Sequence, residues 1–168
     1  MEIRLSPADQ NDFSQVLGLL KEAALRLQRK GLDQWQNWLE PSVEDKSWIQ
    51  EGFDAKEFFL IINELNQVLG TVRVMSEDLL YWGKQEEQGL YIHSLTVSEK
   101  YAGQGIGQAV ISKVKQQAYI LGYGKLRLDC NSANPALCRY YENQGFSQVG
   151  VREFEDFSCN LYEVKIKL

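Results

Sequence analysis

The stretch that decides the fold runs from Leu95 to Gly107 and reads LTVSEKYAGQGIG. It starts at the end of an alternating apolar segment, passes through a glycine-rich turn and enters a segment with apolar residues at helical spacing. Glycines let the backbone adopt positive φ and come close to a ligand. The free N–H groups at the start of the following helix, with the helix dipole, favour an anion such as a diphosphate.

Two better-known phosphate motifs do not fit this turn. A P-loop requires G-x-x-x-x-G-K-S/T, which no part of the chain matches. The dinucleotide fingerprint G-x-G-x-x-G fails because the turn reads G-x-G-x-G and Val110 occupies the third position after Gly107. A Rossmann domain would also carry its motif after the first strand, whereas this turn begins only at Gly103. Taken alone, the turn is equally consistent with a tight connection between a strand and a helix.

The residues before the turn predict a helical region followed by strands. Ile3 to Leu5 is a short apolar start, and Ser6 and Pro7 are expected to cap and open a helix that ends at Gly31. A second, broken helical region is predicted from Asp33 to Gly52. The period then changes, and two apolar runs predict a hairpin with strands over Phe58 to Ile62 and Val68 to Met75.

The second half of the chain alternates strands and helices. Predicted strands are Tyr91 to Val97, Leu126 to Cys130, Phe146 to Val151 and Phe157 to Ile166. A helix with an apolar stripe follows the glycine turn and ends at Gly122, and a short helix runs from Asn134-Pro135 to Gly145. The order of elements predicts a mixed α/β (α+β) fold. Its central sheet is largely antiparallel, is covered by helices on both faces and has a parallel step in its second half.

Composition limits the class of protein. The 168 residues carry 18 Lys and Arg against 23 Asp and Glu, a formal charge of −5, and 44% of them are apolar. These values predict a single globular domain over residues 1–168 and make nucleic acid an improbable partner. No signal peptide or membrane span is evident, so we expect a cytosolic protein with no membrane partner. Cys130, Cys138 and Cys159 form no C-x-x-C pair, and we expect reduced thiols.

The context of the turn resembles a known family. Leu95 to Gly107 is similar to the acetyl-CoA-binding motif of the GNAT acetyltransferases, in which a strand ending in L-x-V leads through a loop to R/Q-x-x-G-x-G/A. Asn134 to Phe146, NPALCRYYENQGF, resembles their second motif, a short helix closing with Y-x-x-x-G-F. Both motifs come in the family's order, and the element order agrees over nearly the whole chain. Ala102 departs from the pattern, because the family has Arg or Gln there.

The resemblance implies a cofactor site for acetyl-CoA. No metal is expected, because a single histidine and no paired cysteines exclude most zinc sites. Backbone groups of Leu95 and Val97 would contact the pantetheine arm and the thioester oxygen, and the turn would bind the diphosphate. Asn134 is expected either to reach the pantetheine or adenosine side or simply to cap its helix. The candidate cofactor-binding residues are Leu95, Thr96, Val97, Gly103, Gln104, Gly105, Ile106, Gly107, Gln108 and Asn134.

Two residues are candidates for the chemistry. His93, the only histidine, is the one side chain with an unperturbed pKa near 7. Strand alternation predicts that it shares a face with Tyr91, Leu95 and Val97. His93 to Val97 resembles the H-x-L-x-V stretch of arylalkylamine N-acetyltransferases. The resemblance implies that His93 removes the amine proton, alone or through water. The alternative is a structural or substrate-lining role. Tyr141 matches the tyrosine of Y-x-x-x-G-F, which implies a general acid for the CoA sulfur, although an aromatic on a packed helix face explains it equally simply.

The remaining features bear on the acceptor. Four tryptophans and several acids, among them Asp78, are candidates for a pocket binding a cationic amine, but we expect core tryptophans and a solvated acidic rim. An acyl-cysteine mechanism is disfavoured because no Cys–His pattern is present. The leading hypothesis is acetyl transfer to a small-molecule primary amine by direct attack on the thioester. A protein or peptide acceptor and a non-catalytic acyl-CoA-binding module are the alternatives, and a homodimer is compatible with each.

Overall fold

The computed structural model describes residues 1–168. Seven strands form one sheet in the order β1-β2-β3-β4-β5-β7-β6. The strands are β1 (Ile3–Pro7), β2 (Phe58–Asn63), β3 (Val68–Met75), β4 (Gly89–Val97), β5 (Lys125–Asn131), β6 (Ser147–Glu153) and β7 (Ser158–Lys165). The helices are α1 (Phe13–Arg29), α2 (Val43–Asp54), α3 (Ile106–Leu121) and α4 (Pro135–Glu142). No helix is long and apolar enough to cross a membrane.

Strand directions confirm the predicted mixed sheet. The pairs β1–β2, β2–β3, β5–β7 and β6–β7 are antiparallel, whereas β4 and β5 are parallel. The parallel pairing extends from Gly89 opposite Lys125 to Ile92 opposite Leu128 and ends there. Such a step requires a crossover, which α3 provides in sequence between the two strands.

The chain divides into two compact units. Unit 1 comprises Met1–Arg73 and Ser94–Val110, and unit 2 comprises Val74–His93 and Ile111–Leu168. The core of unit 1 is formed by α1, α2 and β2, through residues such as Leu20, Ile49 and Phe58. In unit 2 the largest fully buried side chain is that of Tyr162 on β7.

One local prediction was wrong. Ser6 and Pro7 do not open a helix, because both belong to β1 and lie opposite Leu60 and Phe59. Pro7 is tolerated there because β1 is an edge strand, where a missing N–H need not break a ladder bond. The cap is Asp9 instead, which accepts from the backbone N–H of Asn11 and precedes a single 3-10 turn leading into α1.

The alternation predicted along β4 is interrupted at Ser94. This residue has φ of 53°, a left-handed conformation that costs a non-glycine residue about 1–2 kcal/mol. The period-two rule therefore does not extend from His93 to Leu95 and Val97. The change also falls at the boundary of the two units, between His93 and Ser94.

Gly70 on β3 is required by its close contact with the end of β4. A Cβ at this position would lie 2.1 Å from the backbone oxygen of Thr96. We therefore expect Gly70→Ala to lower the free energy of unfolding by about 1–3 kcal/mol. Gly18→Ala is the matched control, since Gly18 is an exposed residue of α1 with nothing within 4 Å of the added carbon. It should stabilise by about 0.5–1 kcal/mol. Thermal denaturation measures both, and equal melting temperatures for the two variants would contradict this account.

Candidate functional site

The glycine turn of unit 1 is open. Gly103 and Gly105 both have φ of 74°, and a Cβ built on either would meet no atom within 4 Å. The turn precedes the first residue of α3, Ile106, and the carbonyl of Gly105 accepts the N–H of Ala109. The N–H groups of the first helical turn have no intrahelical acceptor, so they are available to an anion at the start of α3. This arrangement fits a bound phosphate group.

The other predicted cofactor-binding residues of unit 1 have distinct surroundings. Thr96 is buried, and the carbonyl of Val97 accepts from Arg26 Nη2 at 3.0 Å. Leu95 is half-buried, whereas Gln104 and Gln108 are exposed. Since the Val97 carbonyl is already bonded to Arg26, any contact of Val97 with a cofactor would use a different group.

Asn134 and Tyr141 belong to α4 in unit 2. The Asn134 side chain accepts from the backbone N–H of Leu137 at 3.2 Å and so caps the helix. Tyr141 is buried and its ring packs against Phe146, whereas Tyr140 is 39% exposed. Burial raises the pKa of Tyr141 well above its usual range, with a smaller contribution from Cys130. The phenol is therefore protonated at neutral pH, as a general acid must be.

His93 lies between two carboxylates of unit 2. Its Nε2 is 2.5 Å from Asp78 Oδ2, and its Nδ1 is 3.6 Å from Asp129 Oδ1. Asp78 follows β3, and its Oδ1 also accepts the backbone N–H of Tyr81 at 3.1 Å. Both oxygens of this buried carboxylate are thus hydrogen-bonded, which offsets the cost of removing it from water. His93 therefore has a carboxylate neighbour at each ring nitrogen.

The prediction of a solvated acidic rim is wrong for Asp78. Its side chain is only 3% exposed, because the bond to His93 and the Tyr81 backbone N–H hold it inside unit 2. Asp129, in the middle of β5, was not identified from the sequence at all. Burial raises the pKa of Asp129, and His93 opposes that effect. The signal that was available is a single acid in the predicted strand Leu126 to Cys130, which reads LRLDC.

Aromatic rings border the His93 cluster. The ring of Tyr81 lies 5.1 Å from the His93 ring and 5.2 Å from that of Phe154, which in turn stacks on Phe157 at 4.7 Å. Burial raises the pKa of Tyr81, and the charge of Asp129 raises it further by a smaller amount. A hydrophobic border of this kind strengthens the interaction of the carboxylates with a cation.

Asp78, His93 and Asp129 also have the composition of a metal site, since their ligand atoms lie within 4.8 Å of one another. Nε2 and Oδ2 at 2.5 Å are, however, closer than the separation of about 3.3 Å between two ligands of one tetrahedral ion. The distance indicates a short hydrogen bond between the two side chains. We therefore interpret the cluster as a hydrogen-bonded unit.

The tryptophans and Tyr91 have structural contacts. Trp38 and Trp82 are buried, and Trp35 and Trp48 pack against the core of unit 1. Tyr91, which precedes His93 by two residues, accepts a hydrogen bond from Arg127 at 2.7 Å. These contacts agree with the expectation that the tryptophans belong mainly to the core.

The cysteines are free thiols, as predicted. Cys138 donates to Cys130 at 3.2 Å between sulfurs. Burial raises the pKa of Cys130, and burial with the adjacent Asp129 raises the pKa of Cys159 to about 12. Because the thiolate is the nucleophilic form, these thiols are poor candidates for an acyl-enzyme.

Comparison with known proteins establishes the family. Residues 24–146 match the acetyltransferase (GNAT) family, and the chain belongs to it. It is 30% identical over 148 residues to the uncharacterised N-acetyltransferase YesJ of Bacillus subtilis, an alignment that covers 86% of this chain and 81% of the relative. The protein is therefore an acetyl-CoA-dependent N-acetyltransferase, as the two sequence motifs predicted.

Solved structures agree on the fold. A GNAT acetyltransferase from Listeria monocytogenes is similar with a TM-score of 0.79 and 22% identity, covering 98% of this chain and 95% of that chain. The spermidine N-acetyltransferase of Vibrio cholerae, solved with CoA and spermine, is similar with a TM-score of 0.70 and 15% identity, covering 98% and 95%. At these identities the similarity concerns the fold alone.

Proposed function

We propose that the protein transfers the acetyl group of acetyl-CoA to the primary amine of a small molecule, by direct attack of the amine on the thioester. The observation that carries this proposal is the His93 ring held between Asp78 and Asp129. An alkylammonium with a pKa of about 10.4 must lose a proton before it can attack, and a histidine between carboxylates is suited to take it.

The roles assigned to individual residues are part of the proposal. His93 is the base, and Tyr141 protonates the departing CoA thiolate. The open turn at Gly103 and Gly105 supports binding of the CoA diphosphate by backbone N–H groups, which makes the missing Arg or Gln at Ala102 dispensable. Asn134, as a helix cap, needs no ligand, so its contact with CoA stays a prediction.

Direct attack is favoured over an acyl-cysteine intermediate. The raised pKa values of Cys130 and Cys159 leave almost no thiolate at neutral pH. The amine itself must then be the nucleophile, and the reaction has a single tetrahedral intermediate. Turnover is accordingly expected to be retained when Cys159 is replaced by serine.

The charge of the site favours a cationic acceptor. Two carboxylates and a border of aromatic rings suit an alkylammonium better than a neutral or acidic amine. The Vibrio cholerae neighbour, named for spermidine and solved with spermine, makes polyamines a rational first choice among acceptors. A single-domain enzyme in the cytosol, acting alone or as a homodimer, remains our expectation.

A panel of acceptors tests the substrate class. We expect CoA-thiol release with polyamines and arylalkylamines at a kcat/KM at least tenfold above that for lysine-containing peptides and N-terminal amines. Amino acids, whose carboxylate would face Asp129, should be poor acceptors. A higher kcat/KM for peptides would favour the protein acceptor and overturn the small-molecule assignment.

A further inference from the structure

We propose that Asp78 is a positioning residue that keeps the His93 proton on Nε2, and that His93 Nδ1 with Asp129 Oδ1 binds and deprotonates the ammonium group of the acceptor. The inference rests on the proposed function and deepens it. It assigns an acceptor-binding role to Asp129 and a positioning role to Asp78, neither of which the sequence motifs contain.

The role of Asp78 follows from its hydrogen bonds. An ionised carboxylate only accepts, and Asp78 Oδ1 is already bonded to the N–H of Tyr81. Oδ2 therefore accepts from His93 Nε2, at 2.5 Å, and the proton of the neutral ring lies on that nitrogen. The lone pair is then on Nδ1, which faces Asp129.

The role of Asp129 follows from distance and exposure. Nδ1 and Oδ1 are 3.6 Å apart, beyond a direct hydrogen bond but suited to a nitrogen that donates to both from about 2.9 Å. The side chains of His93 and Asp129 are 11% and 14% exposed, against 3% for Asp78. His93 and Asp129 thus keep part of their side-chain surface exposed, whereas Asp78 is almost fully buried.

Burial makes Asp129 a good partner for a cation. Its raised pKa reflects the cost of keeping a carboxylate out of water, and an ammonium bound at Oδ1 reduces that cost. The charge of Asp78 or Asp129 also acts on five phenols and thiols, each of which has a raised pKa and stays neutral near pH 7: Tyr81, Tyr91, Tyr141, Cys130 and Cys159. None of these groups adds a negative charge beside the carboxylates, and none is a cation that would compete with the ammonium.

In the proposed reaction the protons move between the amine, His93, Tyr141 and solvent. One N–H bond of the ammonium breaks and the proton passes to Nδ1, which leaves a neutral amine and an imidazolium between two carboxylates. The amine lone pair forms the new N–C bond at the thioester carbon, and the C–S bond breaks as the thiolate takes a proton from Tyr141. The nitrogen loses its second proton to solvent, the His93 imidazolium releases its proton to solvent, and the Tyr141 phenolate takes one proton back from solvent. Both side chains are thus restored, and the sum is ammonium plus acetyl-CoA giving amide, CoA thiol and one proton.

Nuclear magnetic resonance on the single histidine tests the tautomer without any turnover. In the wild-type protein labelled with ¹⁵N at the imidazole, we expect the neutral ring to be protonated on Nε2 and unprotonated on Nδ1. A neutral ring protonated on Nδ1 would overturn the role of Asp78. In Asp78→Leu the preference for Nε2 should be lost, whereas Glu155→Gln, which removes an exposed carboxylate of unit 2, should leave it unchanged.

Amine binding tests Asp129. Addition of spermidine should shift the Nδ1 resonance, and a tetraalkylammonium ion, which has no N–H to donate, should not. In Asp129→Asn we expect KM for the amine to rise about 10- to 100-fold, the loss of one charged hydrogen bond, with KM for acetyl-CoA within about twofold. An unchanged amine KM, or an equal response to the tetraalkylammonium ion, would refute the site.

Failure of the proposed reaction and failure of the proposed amine site at His93 and Asp129 would give different results. If no amine releases thiol but spermidine still shifts Nδ1, the proposed reaction is wrong and the binding site stands. If turnover is normal while the Nδ1 resonance ignores spermidine and Asp129→Asn has the wild-type amine KM, the reaction stands and the assignment of Asp129 is wrong.

Discussion

In the Tyr141→Phe variant we expect kcat to fall by about 10²- to 10⁴-fold, the usual contribution of a general acid, while KM for acetyl-CoA stays within about twofold. The ring and its packing on Phe146 remain, so only the proton donor is lost. Because burial raises the pKa of Tyr141, the wild-type rate should show no alkaline limb from this group below pH 9.

Tyr140→Phe is the matched control for this prediction. Tyr140 is the adjacent residue of α4 but is 39% exposed, and the same hydroxyl group is removed. Its kinetics should equal those of the wild type. A Tyr141→Phe variant that loses affinity for acetyl-CoA but keeps kcat would make Tyr141 a packing residue, and equal losses in both variants would contradict the assignment by helix register.

The His93→Ala variant is expected to lose about 10²- to 10⁴-fold in kcat/KM for the amine at pH 7. Without a base the enzyme depends on the free amine in solution, which for a pKa of about 10.4 is roughly one molecule in 2,500 at pH 7. The variant's rate should therefore rise about tenfold per pH unit from pH 6 to 9, because each unit increases the free amine tenfold. The wild type should be nearly flat over the upper part of that range.

Circular dichroism and melting temperature serve as the control for His93→Ala, because the substitution leaves Asp78 with one partner fewer. Added imidazole offers a second check and should restore part of the rate at neutral pH. If His93→Ala turns over at the wild-type rate between pH 6 and 8, His93 is excluded as the base. A uniform loss at every pH, with no rescue, would indicate a structural role instead.

The fold was predictable because its signals are local. Glycine turns, apolar stripes and the switch from helical to alternating spacing placed the hairpin of β2 and β3 and the helix α3 within a few residues of their observed bounds. The error at Ser6 has a physical reason. A Ser-Pro pair suits a helix start and the end of an edge strand equally well, and pairing with β2 decided between them.

The candidate site was only partly predictable because its contacts are distant in sequence. His93 and Tyr141 stand in recognisable motifs, but Asp78 lies 15 residues before His93 in a loop without a motif. Asp129 is placed opposite His93 by the fold and not by any local pattern. A single acid within a buried strand was the one clue, since an unpaired carboxylate is rarely left inside a protein.

The left-handed residue Ser94 shows the limit of strand periodicity. Alternation is a property of an unbroken strand, and a positive φ at one position changes which face the following residues occupy. The sequence IHSLTV contains no glycine to signal the change. The side-chain directions of Leu95 and Val97 could therefore not be inferred from that of His93.

The most direct test of the central claim is to incubate the purified protein with acetyl-CoA and spermidine and to measure CoA thiol and N-acetylated amine together. Our account predicts that both products form in a 1:1 ratio, at a rate proportional to enzyme concentration and abolished by removal of either substrate. Calorimetric binding of CoA, with neither product formed from spermidine or from any other amine of the panel, would contradict it.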